Sequence, residues 1–559
     1  MLVIDAEWPT KSDGIHMVGV YCTDDGSYEQ VENAETFRTI LAVRPDDVLC
    51  GHALIYADLP RFKKHWGIDL SDRMVVDTYT MSCYYRPNME DNKGHSLSSW
   101  GERLGMHKGD FTDFDAPADG EAYADWWDRM GVYMKQDVLL TYKLQLYLSD
   151  KLTEHGFSSD SLVTELKIAH IVQQQMDNGF YFDIDKATSL YVLLTSRHKA
   201  VKLVLQDEFP PITIQRTSEK TGKRLKDNVT VFNPGSRQQV ANRLMSRGVK
   251  LTDKTKTGQW KISDEILETL THPAAKNIHE YMMLEKRIGQ MDQWFYYYNE
   301  DTHRIHGRVN PLGANTHRQT QSKPNLAQIP STRKPYGEKC RELFTVPEEC
   351  KLVGVDASGL ELRLLANRLE DPEYKKQVET GDIHKYNMEL AGLHDRDTAK
   401  TFIYAFIYGA QDHKLGSILG CSGGEAAQVR ARFLKAIPAL DRFKERVTRE
   451  SKATGNITLL DGSKVWVKSM HSILNYQLQG DGAVVMKRAL VLAQPSLVQT
   501  TAKLVVQAHD EWQFETAFYD CDLVGKVAVK AIEKVSSEFD MYVKLAAEYK
   551  IGKSWADTH

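Results

Sequence analysis

Features that would place this chain of 559 residues in several common classes of protein are missing. Its seven cysteines include no C-x-x-C pair and form an odd total, which argues against a disulfide framework and a cysteine-built zinc site. No uninterrupted apolar run approaches the roughly 20 residues that cross a bilayer. The opening MLVIDAEW carries carboxylates where a signal peptide has basic and then apolar residues. We therefore expect an intracellular protein in a reducing compartment, without a membrane segment.

A positive net charge is also missing. Lysine and arginine number 71 against 76 for aspartate and glutamate, a net charge of −5, so composition does not indicate a polyanionic partner. A nucleic acid would need a local basic surface, and the acid-free segment 316–334 is one candidate, with Arg318, Lys323, Arg333 and Lys334. The length allows roughly three or four domains, and the 42% of hydrophobic residues exclude a disordered chain.

The first 150 residues are predicted to form one unit. Apolar residues at 2–4, alternating residues at 16–22 and a turn at Asp25-Gly26 predict a small antiparallel sheet. The segment 123–151 lacks proline and has apolar residues at helical spacing, so a long helix is expected to close this unit near residue 150.

The next part of the chain, residues 160–300, is predicted to be mostly helical. Pro210-Pro211 and the polar, lysine-rich segment 217–228 interrupt it. Few residue patterns here suggest chemistry, so we interpret this part as a scaffold or clamp.

Two carboxylates later in the chain stand at the ends of predicted strands. The apolar strand in KLVGVDASGLELRLL ends at Asp356, and KLVVQAHDEWQFE has two strand-like runs that meet near Asp510. Each aspartate alone fits a turn or a helix cap better than a ligand. If they meet in space, however, they can hold two magnesium ions about 3.5 to 4 Å apart for phosphoryl transfer.

Between these aspartates, RDTAKTFIYAFIYGA repeats functional side chains every four residues. Arg396, Lys400, Tyr404 and Tyr408 drift only about 40° per step and so lie along one flank of a helix. Any two of them fit a solvated cation and a core tyrosine. Two cations followed by two aromatic rings, however, suit a triphosphate followed by a base and sugar.

Three segments resemble motifs A, B and C of the family A (DNA polymerase I type) DNA polymerases. They are Asp356-Ala-Ser-Gly-Leu-Glu361, the helix from Arg396 to Tyr408-Gly409, and His509-Asp510-Glu511. The similarity extends to FNPGSR (232–237), LEKRIGQ (284–290), PNLAQIP (324–330), GDIH (381–384) and G-x-x-W-A-x-x-H (552–559). It spans most of the chain and is greatest to the replicative polymerases of T-odd-type podophages.

The resemblance implies roles at the matching positions. Asp356 and Asp510 would be metal ligands, and Glu511 a nearby carboxylate that supports the primer end. Glu361 would be a steric gate that fills the space of a ribose 2′-hydroxyl and so selects deoxynucleotides. Further positions would contact the incoming nucleotide: His384, Arg396 and Lys400 the triphosphate, Lys400 also the pyrophosphate leaving group, Tyr404 the base and sugar, and Tyr408 the region of the templating base.

A last group of matching positions is implied to touch the DNA minor groove and the primer terminus. Every correct base pair presents acceptors there, so such contacts test geometry and not sequence. The residues are Arg318, Asn475, Gln479 and His509.

A second set of carboxylates lies in the first 150 residues. Asp5 and Glu7 face one side of the first predicted strand, where two acids are costly unless they bind something. With Asp58 and the pair Tyr133-x3-Asp137, the set resembles the DEDD-type, Y-subclass 3′-5′ exonucleases. Four carboxylates would then hold two metal ions, and Tyr133 would orient the attacking water.

This second resemblance has one departure. The second exonuclease motif of the family carries an asparagine and an aromatic residue, where this sequence has Ala53 and Ala57. The metal ligands are kept, but the grip on the terminal nucleotide is expected to be weaker.

The resemblance implies an α/β multidomain protein: a ribonuclease H-like 3′-5′ exonuclease domain plus a right-hand polymerase. The expected domains are the exonuclease (1–150), thumb and connecting helices (160–297), first part of the palm (298–368), fingers (369–474) and second part of the palm (475–559).

The implied cofactor is Mg²⁺, two ions in each site, with Mn²⁺ as an alternative. Primer-template DNA and dNTPs are the expected partners, a replicative helicase and a single-strand binding protein are candidates, and the cytoplasm of an infected bacterium is the expected location. The relatives' large thumb insertion, which recruits thioredoxin, corresponds here to only about 20 residues, 212–231, too few for a lobe with its own core. Thioredoxin is therefore not expected to act on this protein.

Two alternatives differ in class. A single-subunit RNA polymerase would share the palm aspartates and part of the fingers helix, but Glu361 and the exonuclease set argue against it. A non-catalytic DNA-binding scaffold would not need ligands kept at both centres.

Overall fold

The computed structural model describes residues 1–255 and 257–559. The first part of the chain forms a sheet covered by helices, and a π-helical turn at Phe62–Trp66 follows α2. Its elements are β1 (Leu2–Glu7), β2 (Met17–Cys22), β3 (Tyr28–Val31), α1 (Ala34–Val43), β4 (Leu49–Gly51), α2 (Asp58–Arg61), β5 (Val75–Asp77), α3 (Thr78–Tyr85), α4 (Leu97–Leu104) and α5 (Tyr123–Glu154).

This first sheet has the strand order β3-β2-β1-β4-β5. The predicted antiparallel pairing of β1, β2 and β3 is confirmed, but β4 and β5 extend the sheet in parallel. Each of these two strands has only three residues, too few for an alternating pattern. The predicted closing helix is α5, which packs on β1 and β2, where Gly19 leaves room for Met134 and Val138.

The second part is mostly helical, as predicted, but it also contains the short strand β6 and a hairpin. Its polar segment folds into the antiparallel hairpin β7–β8, whose residues are almost all exposed. Helices α7 and α10 pack together over a separate apolar core. The elements are α6 (Ser159–Asn178), β6 (Phe180–Phe182), α7 (Ile184–Glu208), β7 (Ile212–Thr217), β8 (Arg224–Thr230), α8 (Arg237–Ser246), α9 (Asp264–Thr269) and α10 (Pro273–Tyr297).

Short strands and turns follow before the longest strand of the third part. These are β9 (Tyr298–Asn299), β10 (Arg304–Ile305), β11 (Arg308–Asn310), β12 (Thr320–Ser322), a 3₁₀ turn (Leu326–Gln328), α11 (Gly337–Glu342), β13 (Phe344–Thr345) and β14 (Cys350–Ala357). Strand β14 has the buried apolar run 352–355, so it lies inside a sheet.

A helical excursion follows β14. Phe402 and Phe406 of α15 pack on Phe433 of α17, which joins these helices into one body. The helices are α12 (Leu360–Leu369), α13 (Pro372–Glu379), α14 (Ile383–Ala391), α15 (Arg396–Ile407), α16 (Asp412–Leu419), α17 (Gly423–Ala436) and α18 (Pro438–Thr454).

The chain then returns to β14. The order β17-β18-β14-β19 is antiparallel throughout, and α20 packs on β14 and β19. Within residues 1–255 and 257–559, no helix is long and apolar enough to span a membrane. The last elements are β15 (Asn456–Thr458), β16 (Lys464–Trp466), a 3₁₀ turn (Met470–Ser472), α19 (Ile473–Leu497), β17 (Lys503–Ala508), β18 (Glu511–Ala517), α20 (Cys521–Glu538) and β19 (Ala547–Gly552).

Candidate active sites

The two later aspartates meet at one end of the β17-β18-β14-β19 sheet. Asp356 pairs in register with Glu511 of β18, and the Ala357 amide donates to the Asp510 carbonyl at 3.0 Å. The turn between β17 and β18 is tight, with His509 at a φ of 61°. Asp356 and Asp510 therefore share one site, as the hairpin-tip prediction required.

Negative charge is concentrated in this site. Partial burial and then the charge of Asp510 raise the pKa of Asp356 to about 7. Burial and the charge of Glu361 raise the pKa of Asp510 to about 6. Glu548 of β19 also faces Asp356, a carboxylate that sequence reasoning missed because no motif marked it. Such a set is stabilised by cations, which carboxylates bind as hard ligands.

Glu511 has a different environment. It is buried, and its carboxylate accepts hydrogen bonds from the Trp555 indole, Gln513 and the His559 ring, the last at 2.9 Å. Although burial acts in the opposite direction, the hydrogen bond from His559 and the charge of Arg341 lower the pKa of Glu511. Sequence reasoning gave Glu511 a role beside the primer but missed these partners. Trp555 and His559 belong to the G-x-x-W-A-x-x-H run, whereas Arg341 gave no signal.

Glu361 stands at the first turn of α12 and joins two segments that are far apart in sequence. Its Oε1 accepts a hydrogen bond of 2.9 Å from the Tyr408 hydroxyl and lies 3.4 Å from a guanidinium nitrogen of Arg318. The charge of Glu361 adds to burial in raising the pKa of the Tyr408 hydroxyl. A contact between these three side chains was not visible from sequence.

The structure has the predicted helix with Arg396, Lys400, Tyr404 and Tyr408, but the last of these residues lies just beyond its end. The helix ends at Ile407, so Tyr408 is its C-cap and not a helical residue. The rings of Tyr404 and Tyr408 lie 6.5 Å apart, and Arg396 donates to Asp382 at 2.9 Å. Burial and the charges of Glu361 and Asp510 raise the pKa of Tyr404 to about 12, so its ring faces the carboxylates.

His384, on the neighbouring helix α14, lies next to the row of side chains on α15. Its ring lies 6.2 Å from that of Tyr404. Burial and the charges of Lys400 and Arg396 lower the pKa of His384. The structure therefore brings together the residues to which the resemblance assigned the triphosphate, on one side of the carboxylates.

The four residues expected at the minor groove also lie near the site. Asn475 and Gln479 are one turn apart on α19, and Gln479 accepts a hydrogen bond from Thr316 at 3.5 Å. Burial and then the charge of Arg318 lower the pKa of His509. Among the described residues, the buried Asn475 Oδ1 has no hydrogen-bond partner.

The earlier carboxylates form a second centre. Oxygens of Asp5, Glu7 and Asp137 lie within 4.8 Å of one another. Alternation along β1 puts the first two on one side, and α5 brings Asp137 across that face. Asp58 is buried beside them, and its Oδ1 accepts the Ala6 amide at 3.1 Å.

Burial and mutual repulsion dominate the electrostatics of this centre. They raise the pKa of Asp5 to about 7, with Asp137 as the main neighbour, and that of Glu7 to about 10. Burial and the charge of Asp5 also raise the pKa of Asp58. The buried Asp137 Oδ1 has no hydrogen-bond partner within the described part of the chain. This donor set fits divalent cations, which would neutralise it.

Lys108 was missed by sequence reasoning. Its ammonium lies 2.6 Å from Asp137 and 4.9 Å from the centre of the Tyr133 ring. A single lysine in the loop between α4 and α5 carries no motif, so no signal could have identified it.

The two alanines lie in the segment that leads to Asp58 of this centre. Ala57 directly precedes Asp58, and Ala53 has a φ of 59°. A cavity of about 440 Å³ adjoins Ala53 and is lined by Tyr56, Tyr79 and Arg308. The described residues thus leave open space near the position where the family motif has larger side chains.

The model of DNA polymerase family A matches residues 212–557, and this chain belongs to that family. The resemblance drawn from the three motifs is thereby confirmed.

Curated relatives are similar over nearly the whole length. The DNA-directed DNA polymerase of Enterobacteria phage T3 is 29% identical over all of both chains. That of Escherichia phage T7 is 31% identical over 96% of this chain and 95% of its own. The thermostable DNA polymerase I of Thermus aquaticus is 29% identical over 58% of this chain and 42% of its own.

A solved structure shares the fold. The POL domain of Pol1 from M. smegmatis, in complex with DNA primer-template and dNTP, superposes with a TM-score of 0.81 at 18% identity. The match covers 100% of this chain and 95% of that one.

Proposed function

We propose that this protein is a phage replicative DNA polymerase that adds dNTPs to a primer 3′-hydroxyl and removes mispaired ends with a separate 3′-5′ exonuclease. The observation that carries the polymerase part is the meeting of Asp356 and Asp510 opposite the α15 row, in a chain that belongs to DNA polymerase family A. The family and its phage relatives favour DNA synthesis over the two alternatives.

In the proposed polymerase centre, each group acts on one part of the reaction. Asp356 and Asp510 would hold two divalent cations, generally Mg²⁺ in this family, which when bound activate the 3′-hydroxyl and stabilise the leaving oxygen. Arg396, Lys400 and His384 would bind the triphosphate, a task for which their positive and polar side chains are suited. Glu361 would exclude a 2′-hydroxyl. Glu511 would support the primer end through its buried network.

The exonuclease part rests on the second carboxylate centre. The sheet order β3-β2-β1-β4-β5 supports a ribonuclease H-like domain, because β1 and β4 run parallel at the centre while β2 and β3 are antiparallel. Asp5, Glu7, Asp58 and Asp137 would hold two divalent cations. Tyr133 would orient the attacking water.

The described elements support the proposed division of the chain. The exonuclease would end within α5, near residue 150, and thumb and connecting helices would occupy 160–297. Palm residues 298–368 and 475–559 would enclose the fingers at 369–474. The α12–α18 excursion between β14 and β17 is consistent with that order.

Primer extension tests the polymerase part. Purified full-length protein, Mg²⁺ and a 5′-labelled primer on a longer template should give extension with dNTPs and not with rNTPs. Asp510→Asn should abolish extension, whereas Asp522→Asn, on the exposed surface of α20, should not change it. Extension that survives Asp510→Asn would exclude this site, and a preference for rNTPs would favour the RNA polymerase.

A primer with a mismatched 3′ end tests the exonuclease part. Without dNTPs the wild-type protein should shorten it, and Asp5→Asn combined with Glu7→Gln should stop shortening but keep extension of a matched primer. Shortening that persists in this variant would place the hydrolysis elsewhere.

Product length tests the expected partners. The resemblance matches residues 212–231, which hold the exposed hairpin β7–β8, to the larger thumb insertion of the relatives, so adding thioredoxin should leave product length unchanged. A large gain would contradict this. A helicase and a single-strand binding protein remain proposed partners.

A further inference from the structure

Lys108 enters the exonuclease centre from the loop between α4 and α5. Its ammonium lies 2.6 Å from Asp137 and 4.9 Å from the centroid of the Tyr133 ring, so it contacts two side chains one helical turn apart. The Lys108 side chain is 28% exposed, whereas that of Asp137 is 1% exposed. The lysine thus spans the distance between the buried carboxylates and solvent.

The backbone around Lys108 is fixed on both sides. The Gln136 side chain of α5 donates to the His107 carbonyl. On the other side Gly109 packs so closely that an added Cβ would lie 3.1 Å from a ring carbon of Tyr133. This loop is therefore held against α5, and the lysine is not an incidental surface residue.

Lys108 brings a positive charge to the four carboxylates of this centre. Within residues 1–255 and 257–559, no other lysine or arginine nitrogen lies within 4.0 Å of a carboxylate oxygen of Asp5, Glu7, Asp58 or Asp137. Two divalent cations would neutralise these four carboxylates. A DNA phosphodiester then adds one negative charge, and the ammonium of Lys108 supplies one positive charge at the edge of the centre.

We propose that Lys108 is a substrate-binding residue of the exonuclease centre, which holds the phosphate of the terminal nucleotide beside Tyr133. Without metal ions it neutralises Asp137. This inference rests on the proposed exonuclease function. The positive charge of Lys108 gives electrostatic stabilisation, which strengthens as negative charge grows on the phosphate during hydrolysis.

The main test compares Lys108→Gln with a matched control on α5. Lys135→Gln removes an exposed lysine whose ammonium lies 5.1 Å from the centre of the Tyr28 ring, outside the carboxylate centre. With Mg²⁺ and a single-stranded oligothymidylate, Lys108→Gln should degrade DNA about 100-fold more slowly, the effect of losing one well-placed stabilising group. Lys135→Gln should match wild type, Lys108→Arg should recover part of the rate, and primer extension should stay unchanged in all three.

A second measurement separates substrate binding from structural support. Mn²⁺ affinity without DNA, read by electron paramagnetic resonance, should rise about threefold in Lys108→Gln because a competing cation is removed. In the same variant a mismatched primer with 3′-terminal 2-aminopurine should bind the exonuclease centre more weakly in Ca²⁺. If Mn²⁺ affinity falls together with degradation, Lys108 only supports the fold and the inference is wrong.

Two further outcomes are distinguishable. If wild type degrades the oligonucleotide and Lys108→Gln does so at the same rate, the inference fails alone. If wild type does not degrade it, the exonuclease proposal fails, and the role of Lys108 with it.

Discussion

The Tyr408 hydroxyl donates a hydrogen bond of 2.9 Å to the carboxylate of Glu361. Tyr408 caps α15, and Glu361 lies in the first turn of α12, the helix that follows β14 and its Asp356, so the bond joins these two helices. Arg318, 3.4 Å away, adds a third segment to the same carboxylate. The proposed sugar-selecting side chain is therefore held in position from two directions.

Sugar selection should depend on Glu361. Glu361→Ala should raise ribonucleotide incorporation relative to deoxynucleotides by roughly 10- to 100-fold, because space opens for a 2′-hydroxyl. Single-nucleotide kcat/KM values for dNTP and rNTP measure this. Tyr408→Phe is the comparison variant: it removes one hydrogen bond to Glu361 but keeps the carboxylate group, so its loss of selectivity should be much smaller. Selectivity that survives Glu361→Ala would locate the gate elsewhere.

Acceptance of dideoxynucleotides should depend on Tyr404. The resemblance implies that a tyrosine hydroxyl here substitutes for a missing 3′-hydroxyl, so the wild-type protein should accept dideoxynucleotides well. Tyr404→Phe should increase discrimination against them with little effect on dNTPs. The ratio of ddNTP to dNTP incorporation reports the change. Strong discrimination by wild type would contradict this placement of Tyr404.

Primer extension should depend on His559, although this residue is not proposed to bind a metal ion. Its ring donates to Glu511 at 2.9 Å, so His559→Ala should loosen that carboxylate and slow single-turnover extension by roughly 10- to 100-fold, as expected when a positioned group shifts. Lys550→Ala, exposed on β19, is the control. An unchanged rate for His559→Ala would mean that the other partners hold Glu511 sufficiently.

Stability should depend on a buried ion pair between α6 and α19. The Lys487 ammonium donates to both Glu165 oxygens at 2.7 Å, and both residues are buried. Glu165→Leu should lower the free energy of unfolding by about 3–5 kcal/mol because it leaves a buried, unpaired charge. The double variant Glu165→Leu/Lys487→Met should recover most of this loss. Urea unfolding at fixed pH measures both values.

The same pair predicts a pH dependence. Burial raises the pKa of Glu165 from 4.5 to about 7, although the charge of Lys487 opposes the shift. Between these values the folded protein keeps a proton that the unfolded chain has lost, so the Glu165 contribution to the free energy of unfolding falls as pH rises and is level above about 7. The free energy of unfolding of wild type minus that of Glu165→Gln should therefore fall as pH rises across this window. A constant difference would contradict the raised pKa.

Local sequence patterns were sufficient to predict much of the fold. Helix α5 was predictable because its apolar residues repeat over a long proline-free segment, and β14 because four consecutive apolar residues precede Asp356. Strands β4 and β5 were not, since three residues carry no period. The β7–β8 hairpin was missed because its polar residues are exposed and resemble a loop.

For the candidate sites too, some residues could be predicted from the sequence and others could not. Asp356, Asp510 and the α15 row occur in recognisable motifs, and the structure brings them together. Pairings such as Lys108 with Asp137 and Arg318 with Glu361 depend on chain topology, which local sequence does not encode. Contacts between side chains that are far apart in sequence therefore could not be predicted from the sequence alone.

The position of β14 in its sheet affects how the protein is made. Its partners β18 and β19 begin at Glu511 and Ala547, so during synthesis β14 has no partners until more than a hundred further residues have been added, a slow closure for a long loop. By contrast β1, β2 and β3 pair within residues 2–31. A chain truncated before Glu511 would keep the first sheet but expose the apolar residues 352–355 of an unpaired strand. Such incomplete chains should aggregate through this strand.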